Sequence, residues 1–171
     1  MTKLQLLEEL KLFTEQELSA LRLPVRPRKT QLSPPPLRAP GVHIMGLSDV
    51  SAAKEEAPYV LHQVITGRDI QPPREAPESR AEVRSIFAVY HQNRREGQLA
   101  LLECIERLRI GILRRQTLGK QFILDIHAGV EYLIYPEDIY PFYAGEMLTT
   151  WKLPPVEREV NYYDKETEDF N

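Results

Sequence analysis

Proline is the residue type that most restricts how this chain can fold, because six of its 14 prolines lie within residues 23–41. A proline run lacks backbone donors and favours extended conformations, which excludes the segment from helix and from the centre of a sheet. We therefore predict a proline-rich arm over residues 23–57. The apolar residues near its far end could instead dock as a short edge strand. The candidate contact residues of the arm are Pro34, Pro35, Pro36, Val42 and Ile44.

Residues 1–22 are predicted to form an N-terminal helix, since apolar residues repeat on one face with a period of 3.6 residues. Two capping boxes are present, one from Thr2 with Gln5 and one from Thr14 with Glu17. The second box would divide the segment into two short helices, but we expect one. The apolar face consists of Leu6, Leu7, Leu10, Phe13 and Leu21.

Residues 58–155 are predicted to hold the folded core. Apolar and polar residues alternate in a β-rich pattern, and Gly67 ends the first strand. A continuous apolar stripe predicts an amphipathic helix at 95–116. A flexible, proline-bearing loop is expected at 68–79. The predicted strands lie at 59–66, 81–90, 121–126, 130–135 and 146–153.

This order of elements indicates an α+β fold. We expect a small antiparallel sheet of about four strands with the amphipathic helix packed on one face, joined to the N-terminal helix and the long proline-rich arm. The segments at 121–126 and 130–135 are expected to form one strand, bent near Gly129. Residues 156–171 are acidic and poor in aliphatic side chains, which predicts a C-terminal tail.

The overall charge argues against several classes of partner. The formal net charge of -3 and the pI near 5.9 give no reason to bind nucleic acid, and the arginines of the predicted helix are scattered around it. The sequence shows neither a leader nor an apolar span of about 18 residues, so we expect cytoplasmic synthesis and no membrane partner. The single cysteine, Cys104, is expected to pack as a small buried hydrophobe.

Enzyme chemistry finds little support in the sequence. The phosphate-loop, dinucleotide and zincin motifs are absent, and the four histidines lack metal-ligand spacing. Asp125 and His127 could form the acid and base of a hydrolase, but nothing marks a nucleophile or an oxyanion site near them. A polar strand end is the better interpretation. We expect no enzymatic activity, no metal and no cofactor.

The outer face of the predicted helix carries a candidate subunit contact. Leu99 and Ile110 fall opposite the apolar stripe, where the solvent face of a monomer should be polar. Isolated surface apolar residues are common, but here two lie on one face between charges of both signs. The flanking residues of this candidate interface are Glu103, Arg107 and Arg114.

An aromatic loop follows the strand at 130–135 and has two interpretations. Tyr140, Phe142 and Tyr143 could cover the open side of a small sheet, because aromatic side chains dominate core burial. They could also form part of a subunit interface, where tyrosine and tryptophan are enriched and the neighbouring prolines would pre-order the surface. Both interpretations fit a ring-forming protein.

Residues 140–157 combine the aromatic loop, a strand and a proline stop in the sequence YPFYAGEMLTTWKLPPVE. This combination resembles the C-terminal strand of the tail terminator family of long-tailed bacteriophages. The resemblance extends back through the helix that opens at Glu96 and Gly97 and through the strand at 81–90. It extends more loosely through residues 39–42 to the N-terminal helix, and so covers most of the chain.

The resemblance implies a structural virion protein with a small sheet-and-helix fold. Members of this family form a ring, commonly of six subunits, that caps the tail tube and joins it to the head at the tail-neck junction. The implied partners are other copies of the chain, the tail tube protein and a head completion or neck protein. The alternatives are a head completion or neck connector protein, a small regulatory binding module and a hydrolase.

Overall fold

The computed structural model of the protein describes residues 2–27, 36–47 and 56–157. Two predicted arm contacts, Pro34 and Pro35, and most of the predicted tail lie outside the described residues. Within the described ranges the chain forms two helices and nine strands. The helices are α1 (Lys3–Leu18) and α2 (Arg94–Arg115), and the strands are β1 (Leu23–Pro24), β2 (Leu37–Arg38), β3 (Gly41–Ile44), β4 (Tyr59–Ile70), β5 (Glu78–Tyr90), β6 (Thr117–Leu118), β7 (Phe122–Leu124), β8 (Val130–Ile134) and β9 (Phe142–Leu153).

The predicted four-stranded antiparallel sheet is wrong. Seven of the described strands form one curled, mixed sheet in the order β3-β4-β5-β9-β7-β6, with β8 also paired to β9. Strand β3 runs parallel to β4, and the remaining pairs in this sheet are antiparallel. Four of the nine strands are two or three residues long. Such short segments carry too little periodicity to be recognised in the sequence.

Strand β4 continues through Gly67, which was predicted to end it, and β5 begins earlier than predicted. The predicted loop at 68–79 therefore shortens to the turn at 71–77. A β-carbon at position 67 would lie 2.5 Å from Cε of Lys3, so a larger residue there would displace the end of the Lys3 side chain. The Lys3 side chain crosses the strand at this point, and its Nζ lies 3.0 Å from Oδ2 of Asp69.

Helix α1 is a single helix, as expected. Thr2 accepts a hydrogen bond from the backbone N–H of Gln5 at 3.3 Å, and Gln5 Oε1 accepts one from Thr2 N–H at 2.9 Å, which confirms the first capping box. The second box does not form, since the Thr14 hydroxyl donates to the carbonyl of Leu10 at 2.8 Å. The predicted apolar face, including Leu21 beyond the helix, is buried.

Both helices pack on one face of the sheet, with α1 over β3 and β4 and α2 over β5 and β9. The predicted alternation in β5 is confirmed, because Arg80, Glu82 and Arg84 lie on the opposite face, outside this core. The β5 residues that turn toward the helices, all buried, are Ala81, Val83, Ser85, Phe87 and Val89.

The opposite face of the sheet carries a second, smaller core at one end. It forms where β4, β5 and β9 leave aromatic and aliphatic side chains on the side away from the helices. Tyr90 and Phe142 pack there with ring centroids 5.5 Å apart. The buried members of this cluster are Ala57, Tyr59, Leu61, Tyr90 and Phe142. The sheet is therefore covered on both faces at this end.

The ends of the predicted arm belong to the fold. Strands β1 and β2 pair in a separate two-stranded sheet, and the backbone N–H of Val25 donates to the carbonyl of Pro36 at 3.0 Å. Leu23 is buried in the main core. Pro24 and Pro36 fit here because a two-residue ladder at the edge of the fold requires few backbone donors.

His62 is fully buried between α1 and β5. Its Nε2 lies 2.9 Å from the Thr14 hydroxyl, and its Nδ1 lies 2.8 Å from the Ser85 hydroxyl. Since the Thr14 proton is already given to Leu10, Thr14 accepts from Nε2–H, and Ser85 then donates to Nδ1. The imidazole is neutral in this arrangement, and burial lowers the pKa of His62 to about 3.

We predict that the free energy of unfolding falls less steeply with decreasing pH in the His62→Gln variant than in the wild type. The unfolded chain protonates His62 near its ordinary pKa of 6.5, whereas the folded protein keeps it neutral. The residue thus contributes stability that is present above pH 6.5 and is lost as the pH falls toward 3, by about 1.4 kcal/mol per pH unit. Urea unfolding between pH 7 and pH 5 should show a steeper decline in the wild type. Equal slopes in the two proteins would contradict the assignment.

A second prediction concerns residues 28–35. Because Val25 and Pro36 are already hydrogen-bonded, replacing these eight residues with a short Asn-Gly turn should change the melting temperature by only a few degrees. Any role of Pro34 and Pro35 in binding another molecule would be lost. Leu23→Ala is the matched control, since truncating this buried side chain should cost roughly 2–5 kcal/mol. A large fall in melting temperature of the excised protein would place residues 28–35 inside the fold.

Candidate assembly surface

The second helix is fixed at both ends by its own sequence. Asn93 caps the start, its Oδ1 accepting from the backbone N–H groups of Arg95 and Glu96 at 3.0 and 3.1 Å. Gln116 ends the helix in the left-handed conformation, with φ of 55°, after two arginines in the last turn. The predicted helix is confirmed to within one residue at each end. Its register therefore fixes which side chains face the sheet and which face away.

The outward face of α2 is where the sequence predicted a subunit contact. Leu99 is 55% exposed and Ile110 is 44% exposed, on the side opposite the buried stripe. They lie three turns apart, about 16 Å along the axis. The side chains that do pack on the sheet are Leu101, Cys104, Ile105, Leu108 and Ile112. Burial raises the pKa of the Cys104 thiol to about 12, consistent with the packing role expected for it.

The charges around this face are paired within the helix. Glu103 Oε1 lies 2.8 Å from Arg107 Nη2, and Glu106 Oε2 lies 2.7 Å from Arg109 Nη2. Arg114 is exposed at the end of the same face. Exposed pairs of this kind contribute little to stability because solvent screens them. Leu99 and Ile110 thus lie beside two ion pairs that form within the helix.

Contacts of Tyr140 and Asp138 hold the aromatic loop against the start of α2. The Tyr140 hydroxyl donates to the carbonyl of Gln92 at 2.9 Å, and the Arg94 guanidinium lies 4.8 Å from the centroid of the Tyr140 ring. Arg94 also donates to Asp138 at 2.7 Å, and this bond lowers the pKa of the Asp138 carboxyl. Tyr140 is nevertheless 46% exposed, so it is still a candidate interface residue.

Phe142 and Tyr143 are placed differently from Tyr140. Phe142 is only 8% exposed and belongs to the second core. Tyr143 is half-buried against α2, where a β-carbon on Gly97 would lie 2.2 Å from the Tyr143 ring. The first interpretation of the aromatic loop, as a cover for the sheet, therefore describes these two residues. Glycine at position 97 is what lets the ring reach the helix.

The candidate arm contacts also separate into two groups. Val42 is buried and Ile44 is half-buried, both within β3, so the arm docks as the edge strand considered above. Pro36 is exposed beside β2. Pro34 and Pro35 lie outside the described residues.

The hydrolase alternative loses its geometric basis. Asp125 Oδ2 lies 3.2 Å from Arg80, Oδ1 lies 3.8 Å from Lys152, and Oδ1 also accepts from the His127 backbone N–H at 3.3 Å. The His127 side chain is exposed and makes none of these bonds. A second pair, Ser85 and His62, has nucleophile-to-base spacing, but both side chains are completely buried. Substrate cannot reach them in this fold.

The described part of the chain contains no cluster of three or more His, Cys, Asp or Glu side chains that could hold a metal ion. Neither described helix is long and apolar enough to cross a membrane. A cavity of about 330 Å³ lies beneath the aromatic loop, bounded by Arg94, Asp138 and Tyr143. Its lining is formed by residues already engaged in holding the loop.

Sequence reasoning missed one exposed region, the strand β8. Tyr132, Leu133 and Ile134 are 44%, 55% and 37% exposed, although such an apolar run is typical of a buried strand. The strand pairs with β9 on one side only. The expected single bent strand over 121–126 and 130–135 is wrong, because a turn that includes Gly129, with φ of 82°, separates β7 from β8.

Comparison with known proteins adds no identification. No protein-family model matches the chain, and no curated protein matches it.

Proposed function

We propose that the protein is a structural component of a phage or prophage particle, a tail terminator that forms a ring at the end of the tail tube and joins the tube to the head. The resemblance of residues 140–157 to that family supports the proposal. So do the exposed apolar side chains Leu99 and Ile110, which provide a surface for contact with another molecule.

The observation that carries the proposal is the outward face of α2. Leu99 and Ile110 are exposed on a helix that is capped at both ends, beside the ion pairs Glu103–Arg107 and Glu106–Arg109. About half of each side chain is still exposed, so covering it completely against another molecule is favourable by roughly 1 kcal/mol. We assign this face, with Tyr140 beside its N-terminal end, to a contact with a neighbouring copy in the ring.

A head completion or neck connector protein is the second candidate. It would belong to the same particle and would use similar assembly surfaces, so the chain's surface does not separate it from a terminator. The two differ in what happens when the protein is missing. A terminator limits tube growth and presents the surface that the head binds, whereas a neck protein seals the filled head.

The double variant Leu99→Asp/Ile110→Asp should remain folded and lose assembly. Both side chains point away from the core, so the circular dichroism spectrum should be unchanged, while a desolvated apolar contact would now bury unpaired charge. Native mass spectrometry, with and without purified tail tubes, measures the result. The matched control is Ile123→Asp/Ile126→Asp, which changes two equally exposed apolar residues on a different element.

If the α2 variant assembles like the wild type while the control behaves in the same way, the α2 face is merely exposed. If both variants lose assembly, the effect is one of charge and not of position. Loss confined to the α2 variant is the expected outcome.

The functional prediction concerns particles that lack the protein. Electron microscopy of the lysate should show filled heads beside tails that are overlong or unattached, because nothing caps the tube or presents the head-binding surface. The purified protein should bind tube ends and not free duplex DNA, given its acidic balance. Tails of normal length beside heads that leak DNA would favour the neck protein. Normal infectious particles would refute both.

A further inference from the structure

Among the described residues the main sheet has three edge strands, of which β6 is only two residues long and β3 and β8 are longer. Strand β3 pairs only with β4, and β8 pairs only with β9. Exposed edges of this kind are usually guarded by charged side chains, prolines or bulges. Strand β3 has no charged residue apart from its histidine, and β8 has only Glu131. Both edges are therefore open to pairing with another strand.

Strands β3 and β8 lie at the same level of the sheet, meaning that their residues belong to the same rows of directly opposed residues. Val42 is opposite Val60, which is opposite Phe87, then Gly145 and finally Ile134. The next row on the same face connects Ile44 to Tyr132 through His62, Ser85 and Met147. A strand placed against β8 at this level is thus also at the level of β3.

The backbone groups on the two edges are compatible. Gly41 donates to Pro58, just before β4, and Met45 donates to His62 of β4. The N–H and C=O groups of Val42 and Ile44 therefore face the open side of β3, where the Ile44 carbonyl also accepts from Gly46 N–H at 2.8 Å. Tyr135 donates to Ala144 of β9. By alternation, the backbone groups of the β8 residues Tyr132 and Ile134 face its open side.

The side chains are compatible as well. The four residues whose backbone groups face the open edges, Val42, Ile44, Tyr132 and Ile134, all lie in rows that project toward the helices. In an antiparallel ladder, directly opposed residues must project to the same face. Two edges chosen without regard to each other would meet this condition only about half the time, since strand side chains alternate between two faces.

We infer that β8 of one copy of this protein pairs antiparallel with β3 of the next copy, with Tyr132 opposite Ile44, Leu133 opposite His43, and Ile134 opposite Val42. The direction follows from the sheet, because β8 and β3 run in opposite senses across it. Antiparallel pairing of this kind buries the exposed apolar side chains of β8 and satisfies the free backbone groups of both edges.

The equal level of the edges fits closure into a ring. A heterologous contact closes when repetition adds only rotation, and it produces an open filament when each step also adds a shift. Pairing in this register adds no displacement along the strands, and the curl of the sheet supplies rotation. The β8–β3 contact is the strand-to-strand interface of the inferred ring. The role of that ring in a phage tail rests on the proposed function.

Cysteine cross-linking tests the pairing directly. Leu133 and His43 lie on the outer face, and in the inferred register their Cα atoms would be about 4.5 Å apart, within the disulfide range. Leu133→Cys and His43→Cys are made in separate proteins, which are mixed at assembly concentration and oxidised. Within one copy the two positions are four strand spacings apart, about 19 Å, so no internal bond can form. Cys104 is buried and serves as the background in the wild type.

The matched control replaces Leu133 by its neighbour, in a mixture of Tyr132→Cys with His43→Cys. Position 132 projects to the helix face and position 43 to the outer face, so this pair should cross-link several-fold less. We expect a reducible dimer from the first mixture. The double variant Leu133→Cys/His43→Cys should give a ladder that ends at the size of the ring.

Equal yields from the two mixtures would overturn the pairing. So would a protein that is monomeric at every concentration, or one in which the thiol at position 133 reacts only after residues 158–171 are removed, which would make the tail of the same copy the occupant of β8. An edge-linked ring that ignores tube ends would refute the proposed function alone. Binding to tube ends without cross-linking would refute the pairing alone.

Discussion

The ladder between β5 and β9 is the interaction on which the rest of the structure depends. It runs without interruption from Tyr90 opposite Phe142 to Ser79 opposite Leu153, at the centre of the sheet. Side chains pack on both faces of the sheet at this ladder: α2 covers one face and the second, aromatic cluster covers the other. Trp151, fully buried, donates its indole N–H to Thr149 at 2.9 Å within β9. Because this ladder sets the register of every strand beyond it, it also sets the level of the two open edges.

In the proposed ring, the open edges of the sheet supply contacts between neighbouring copies. Two of the buried polar side chains have structural partners: His62 contacts two hydroxyls, and Asp125 contacts two cations and a turn. Exposed apolar side chains occur on several elements, among them the outer side of α2 and the strand β8. The proposed ring uses both surfaces, the strand edges for continuity of the sheet and the helix face for contacts away from it.

The sequence predicted the long, strongly periodic elements and failed on the short ones. The sequence correctly predicted helix α2, the alternation in β5 and the single helix α1, because each repeats its pattern over many residues. Gly67 was taken as a stop, although it marks the passage of the Lys3 side chain. The exposure of Leu99 and Ile110 followed from helical geometry, whereas that of β8 did not, because it depends on which strands lie beside it. Pairing partners are a property of the whole fold and leave little trace in a five-residue segment.

Amide hydrogen exchange resolved to single residues in β8 is the most direct test of the claim that copies join edge to edge. In the isolated subunit the amides of Glu131 and Leu133 are bonded to β9, whereas those of Tyr132 and Ile134 face the open edge. Assembly should slow exchange at Tyr132 and Ile134 far more than at their two neighbours. If the assembled protein exchanges Tyr132 and Ile134 as fast as the isolated subunit does, the edge stays open and the account is wrong.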